Sequence, residues 1–150
     1  MNLFGMLELS GSALTAERER AEVVTSNLAN AETARTAQGG PYRRQLVVFR
    51  AQRLARFPLQ LASLSGAPVL PLAAGRGVRV AQVVADPSPP EERYQPGNPD
   101  ADARGYVAYP NVNPVAEMTD LLGAVRAYEL NASAVAATKS MIQTSLDLLR

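Results

Sequence analysis

The residues whose spacing most suggests chemistry are Asp100-Ala101-Asp102-Ala103-Arg104-Gly105. Oxygen ligands at alternate positions with a glycine at the sixth open a calcium loop, which closes on a bidentate glutamate at the twelfth. Here Arg104 fills a ligand position and Asn111 stands where the glutamate belongs. The flanks also read as a loop and a strand, not as two helices. A solvated turn explains these carboxylates better than a metal site. Glu91 and Glu92 are adjacent in a proline-rich stretch that reads as a loop. Neighbouring carboxylates there point apart instead of flanking a substrate, which argues against a two-carboxylate hydrolase. Serine and threonine are plentiful, but a hydroxyl nucleophile needs a positioned base, and Lys139 is the only lysine. Cysteine and histidine are both absent. That removes the thiolate nucleophile, the usual near-neutral proton shuttle and the two commonest transition-metal ligands. The expectation is a non-enzymatic protein without catalytic residue, cofactor, metal or small-molecule substrate.

Charge gives a second pattern. Between Thr33 and Ala85 there is no acidic residue, yet Arg35, Arg43, Arg44, Arg50, Arg53, Arg56, Arg76 and Arg79 all lie there. Asp86, Glu91, Glu92, Asp100 and Asp102 follow, offset only by Arg93 and Arg104. Segregated charge of this kind suits two solvated faces, or complementary contact between adjacent subunits. Nucleic acid is not expected as a partner, because the formal net charge is only +1 and there is neither a stacking aromatic platform nor a recognition motif. The first residues lack the pattern of a cleaved secretory signal, and no stretch approaches the ~18 uninterrupted apolar residues of a membrane span.

The elements that must position these residues are two long helices and a β-rich middle. From Asn2 to about Ala31, Leu3, Leu7, Leu14, Ala21, Val24, Leu28 and Ala31 recur on steps of three and four, with Ser10 and Glu17 filling the remaining seam positions. Gly11 lies inside this helix and costs ~1 kcal/mol relative to alanine. A second helix begins at Asn113-Pro114, an N-cap followed by a residue suited to the first helical position. Its seam reads Leu121, Val125, Tyr128, Ala132, Val135, Lys139, Ile142, Leu146 and Leu149. At 1.5 Å per residue these rods would run ~40 and ~50 Å, far beyond the usual helix of ~11 to 12 residues. Such helices are marginal alone and stable when paired, since each seam side chain contributes ~1.5 to 3 kcal/mol only if a partner surface exists.

Between them, Tyr42 to Phe49, Val78 to Val84 and Gly105 to Tyr109 read as strands, and residues 50–74 as an irregular loop. The expected fold is α+β: terminal helices over 1–33 and 111–150 pairing as a coiled coil, and a small β-rich domain over 34–110. The helix-seam residues Leu7, Leu14, Val24, Leu28, Leu121, Val125, Tyr128, Val135, Ile142 and Leu146 are the candidate assembly interface.

With the elements placed, local strings become informative. Ser26-Asn27-Leu28-Ala29-Asn30-Ala31-Glu32-Thr33 closes the first helix, and Glu117-Met118 with Arg126-Ala127-Tyr128-Glu129-Leu130-Asn131 marks the last. Between them stand Tyr94-Gln95-Pro96-Gly97-Asn98-Pro99-Asp100-Ala101-Asp102, Gly105-Tyr106-Val107 and Pro110-Asn111-Val112-Asn113. With these strings the chain resembles the flagellar rod, hook and filament axial proteins, and within them the proximal rod members, from end to end. It departs in carrying Ala34 where the family usually has proline, and in a longer loop over 50–74.

The resemblance implies a structural subunit exported by the flagellar type III apparatus without a cleaved signal peptide. It would polymerise in the periplasm into the proximal rod of the basal body and transmit torque for motility. Implied partners are other proximal rod proteins, the ring-to-rod adaptor, the membrane (MS) ring and the export apparatus. The motif residues it marks are Asn27, Asn30, Pro96, Gly97, Asp100, Gly105, Tyr106, Pro110, Asn111, Glu117, Met118, Tyr128 and Asn131. The alternatives are another flagellar rod or axial protein and, from a different class, a coiled-coil export chaperone or adaptor.

Overall fold

A computed structural model describes residues 3–53 and 76–148. The order is α1 (Leu3–Ala29), β1 (Gln45–Arg53), β2 (Arg76–Ala85), β3 (Glu91–Tyr94), β4 (Tyr106–Tyr109) and α2 (Pro114–Asp147). The fold is α+β, with two long terminal helices around a middle of two small antiparallel sheets.

The helices pack against one another and run antiparallel. The C-terminal end of α1 meets the first turns of α2, through Asn27 against Glu117 and Arg20 against Asp120. Asn113 caps α2 as its sequence predicts, its side-chain oxygen accepting from the amides of Val115 and Ala116, with Pro114 next. α1 stops at Ala29, four residues short of the expected 33. The Asn30 amide turns back to donate to the Ser26 carbonyl at 2.9 Å, and the Thr33 hydroxyl donates to Asn30 Oδ1 at 3.3 Å, so side chains take over from the helical ladder. The chain then makes a tight turn through Gly39 (φ 87°) and Gly40 (φ 76°), left-handed conformations that suit residues without a Cβ.

β1 and β2 form sheet A, with Gln45 opposite Ala85 and a bulge at Val48/Phe49. β1 starts later and runs further than the sequence suggests. The side chains of Tyr42 and Arg44 reach to α1 and α2 while the Arg44 carbonyl still accepts from the Asp86 amide at 2.7 Å just outside the ladder, and residues 50–53 prove to be strand. The rest of the expected 50–74 loop lies outside the described residues, as do Arg56 and Leu149. Sheet A packs on α1, where the amide of Val78 donates to the Ser12 hydroxyl at 3.1 Å.

β3 and β4 form sheet B. β3 was not expected, because all four of its residues are exposed and carry no alternating apolar signal. Burial is sparse: Ala16, Val24, Val107 and Ala124 are the apolar core among the described residues, joined by the polar Ser10, Asn27, Glu117 and Thr138. No helix among the described residues is long and apolar enough to cross a membrane.

Candidate assembly site

Where α1 ends, β1 begins and α2 begins, one buried polar cluster ties the three together. Asn27 is 1% exposed. Its Oδ1 accepts from the Gln45 amide at 2.8 Å and from the Tyr42 hydroxyl at 3.0 Å. Its Nδ2 donates to the Gln45 carbonyl at 2.9 Å and to Glu117 Oε2 at 3.0 Å. A carboxamide has two donors and an acceptor with two lone pairs, so all four positions are used. Glu117, also 1% exposed, has its other oxygen gripped by the Nε and Nη2 of Arg44. Arg44 also lies 3.8 Å from Asp120, which pairs with Arg20 at 3.4 Å. A buried carboxylate is tolerable only with this kind of compensation, and removing one partner strands the others. The cluster therefore sets the register of α1 against α2 and the direction in which sheet A leaves the helices.

The motif around residues 95–113 does a related task with exposed groups. Asp102 Oδ1 accepts from the amides of Arg104 (2.8 Å) and Tyr106 (2.9 Å), while Oδ2 faces Arg104 Nε at 3.0 Å. The Tyr106 N–H, then Arg104, hold the Asp102 carboxyl below its ordinary range. These contacts occupy both side-chain oxygens of Asp102. Gly105 has φ +83°, and a Cβ there would lie 3.0 Å from the Tyr94 ring and 3.2 Å from Pro96. Tyr94 and Tyr106 rings meet at 5.3 Å, Arg93 lies over Tyr109 at 4.9 Å, and the Tyr109 hydroxyl donates to Gln95 at 3.0 Å. Pro110 is buried and Gly97 is open to solvent. Asp100 is tied to Arg35 at 3.3 Å. Asn111 lines a cavity of about 170 Å³ with Tyr42, Arg43 and Asp86.

The helix-seam residues divide. Val24 is buried; Leu7, Leu14, Leu28, Leu121, Val135 and Ile142 are half-buried. Val125, Tyr128 and Leu146 are exposed, as is Met118. α2 instead buries Glu117, Ala124 and Thr138 most deeply. The half-buried Asn131 donates to the Ala127 carbonyl at 2.8 Å. The reason is size: short side chains let the helices approach closely, and a strict seven-residue reading drifts from the 3.6-residue turn. Sequence reasoning missed Arg44, Tyr42 and Asp120 as members of the cluster. Their one available signal was the polar Asn27 in the buried arc of α1, which demands partners. Among the described residues, no three Cys, His, Asp or Glu side chains gather as a metal site.

Over 152 residues the chain is 41% identical to the flagellar basal-body rod protein FlgC of Bacillus subtilis strain 168, covering 99% of each chain. It is 39% identical to the FlgC of Borreliella burgdorferi over 158 residues, covering 100% of this chain and 99% of the relative. The chain belongs to the FlgC family of flagellar basal-body rod proteins. The FlgC of Escherichia coli O6:H1 is 39% identical over 148 residues, or 99% of this chain and 98% of that one. Two family models also match, "Flagella basal body rod protein" over residues 7–35 and "Flagellar basal body rod FlgEFG protein C-terminal" over 103–148. This FlgC-family chain is a structural rod subunit of the flagellar basal body. Asn27 lies in the first matched segment and Glu117 in the second, so the buried cluster joins the two.

Proposed function

We propose that this FlgC-family chain polymerises into the proximal rod, in the periplasm just outside the cytoplasmic membrane, and there carries torque toward the hook without catalysing a reaction. Residues 1–33 and 111–150 form the axial core, and residues 34–110 form a middle domain facing outward. Export proceeds through the flagellar type III apparatus with no cleaved signal peptide. Its neighbours are other proximal rod proteins, the ring-to-rod adaptor and the membrane (MS) ring.

The observation that carries this reading is a line of exposed apolar residues along one flank of α2. Met118 (52% exposed), Leu122 (58%) and Val125 (42%) follow one another on steps of four and three. A side chain of this kind gains its ~1.5 to 3 kcal/mol only when covered. A row of them on a rod subunit calls for neighbouring helices. Leu146 and Tyr128 extend the exposed apolar surface and belong to the proposed interface.

Removing residues 142–150 in the native strain tests the reading. The expected outcome is non-motile cells whose purified basal bodies keep the membrane ring and lack the rod. Normal swimming by that strain would refute the axial-core role of the C-terminal helix.

A further inference from the structure

Most of the acidic side of the segregated charge is paired within the chain, and part of the basic side is not. Glu91 pairs with Arg93, Glu92 and Asp102 with Arg104, and Asp100 with Arg35. Arg43, Arg50 and Arg79 have no ion-pair partner among the described residues. The register of sheet A sets Arg50 directly opposite Arg79, and both are exposed. Like charges directly opposite in an antiparallel pair repel. The strands β1 and β2 contain no acidic residue that could relieve this. A local conflict with no compensation inside the chain marks a place where something outside it is expected.

The same face of sheet A carries more than charge. Period-two alternation places Leu46, Val48 and their partners Val84 and Gln82 on the side of Arg50 and Arg79. Leu46, Val48 and Val84 are all exposed. The face is thus an apolar strip ending in two cations, and no described element of the chain packs on it.

The complementary chemistry stands on α1. Glu8 and Glu19 are exposed and have no ion-pair partner among the described residues. Eleven residues at 100° each bring them to nearly the same side of the helix, about 16 Å apart. Because the chain carries both halves, we propose that the outer face of sheet A receives the exposed Glu8–Glu19 edge of α1, which borders the Ser12 contact with its own sheet, from a second copy. Arg50 and Arg79 straddle the Glu19 carboxylate of that copy and exchange their mutual repulsion for two charge-assisted bonds. The inference rests on the reading of the chain as a polymerising rod subunit, and it adds a contact between copies to it.

The prediction has opposite signs in the free and assembled protein. Arg50→Glu sets a carboxylate opposite Arg79, so the purified variant should melt about 1 to 4 °C higher than the parent. In cells lacking the parent chain the same variant should lose swimming, and adding Glu19→Arg to it should restore swimming. Arg50→Glu that swims like the parent overturns the contact while leaving the rod assignment intact, because the 142–150 truncation tests that separately. The natural absence of cysteine allows a second test that does not depend on the variant's stability. Chains bearing Arg79→Cys and Glu19→Cys, co-expressed as separate copies, should give a disulfide-linked dimer in purified basal bodies. A link from Arg79→Cys only to a different rod protein would overturn the choice of a second copy. So would loss, in Arg50→Glu, of binding by the full chain to phosphatidylglycerol vesicles with no dimer formed in cells.

Discussion

Two polar networks hold this molecule, and they differ in burial more than in the number of their bonds. At the helix junction, Asn27 and Glu117 are almost fully buried and every bond they make replaces water. Around sheet B, Asp102, Arg104 and Gln95 make a comparable set of bonds while exposed. Sheet B packs on neither helix. Identical bond chemistry should therefore have unequal consequences, because a buried group left unpaired loses its solvent as well as its partner.

The largest effect is expected at the junction. Glu117→Ala strands the Arg44 guanidinium and one proton of the Asn27 amide, and should cost about 3 to 5 kcal/mol in urea unfolding. A loss below about 1 kcal/mol would mean that burial is not what separates the networks. Gly105→Ala comes next, and it acts through the backbone. The φ of +83° and the 3.0 Å approach to Tyr94 should together cost about 1 to 3 kcal/mol and shift the amide resonances of sheet B, leaving those of α1 in place. The smallest effect is acidification. The Asp102 carboxyl is held low mainly by the Tyr106 N–H, so its contribution is complete above the unfolded carboxylate value and is lost as pH falls through the folded one. An NMR titration should show the Tyr106 amide moving only below about pH 4. A midpoint above that would remove the assigned bond.

The contrast also explains what could be read from residues alone. The helices were legible because caps and apolar spacing are local signals: Asn113-Pro114 starts α2 where it should, and strand β2 spans the Val78–Val84 alternation. The angular position of the α2 seam was not. Hydrophobicity ranks Val125 above Ala124, whereas close packing of two helices selects the smaller residue. β3 gave no signal because none of its side chains is buried. The motif strings around Asn27 and Glu117 marked both ends of the junction. Arg44, the cation that makes Glu117 burial possible, stood among many arginines with nothing local to distinguish it.

The bond from Asn27 to Glu117 spans 90 residues, and that from Arg20 to Asp120 spans 100. The partner of α1 thus leaves the ribosome long after α1 itself. Until it arrives, the first helix lacks its largest packing surface, and closing so long a loop is entropically slow. Synthesis order alone therefore delays full packing of α1 until α2 has been made.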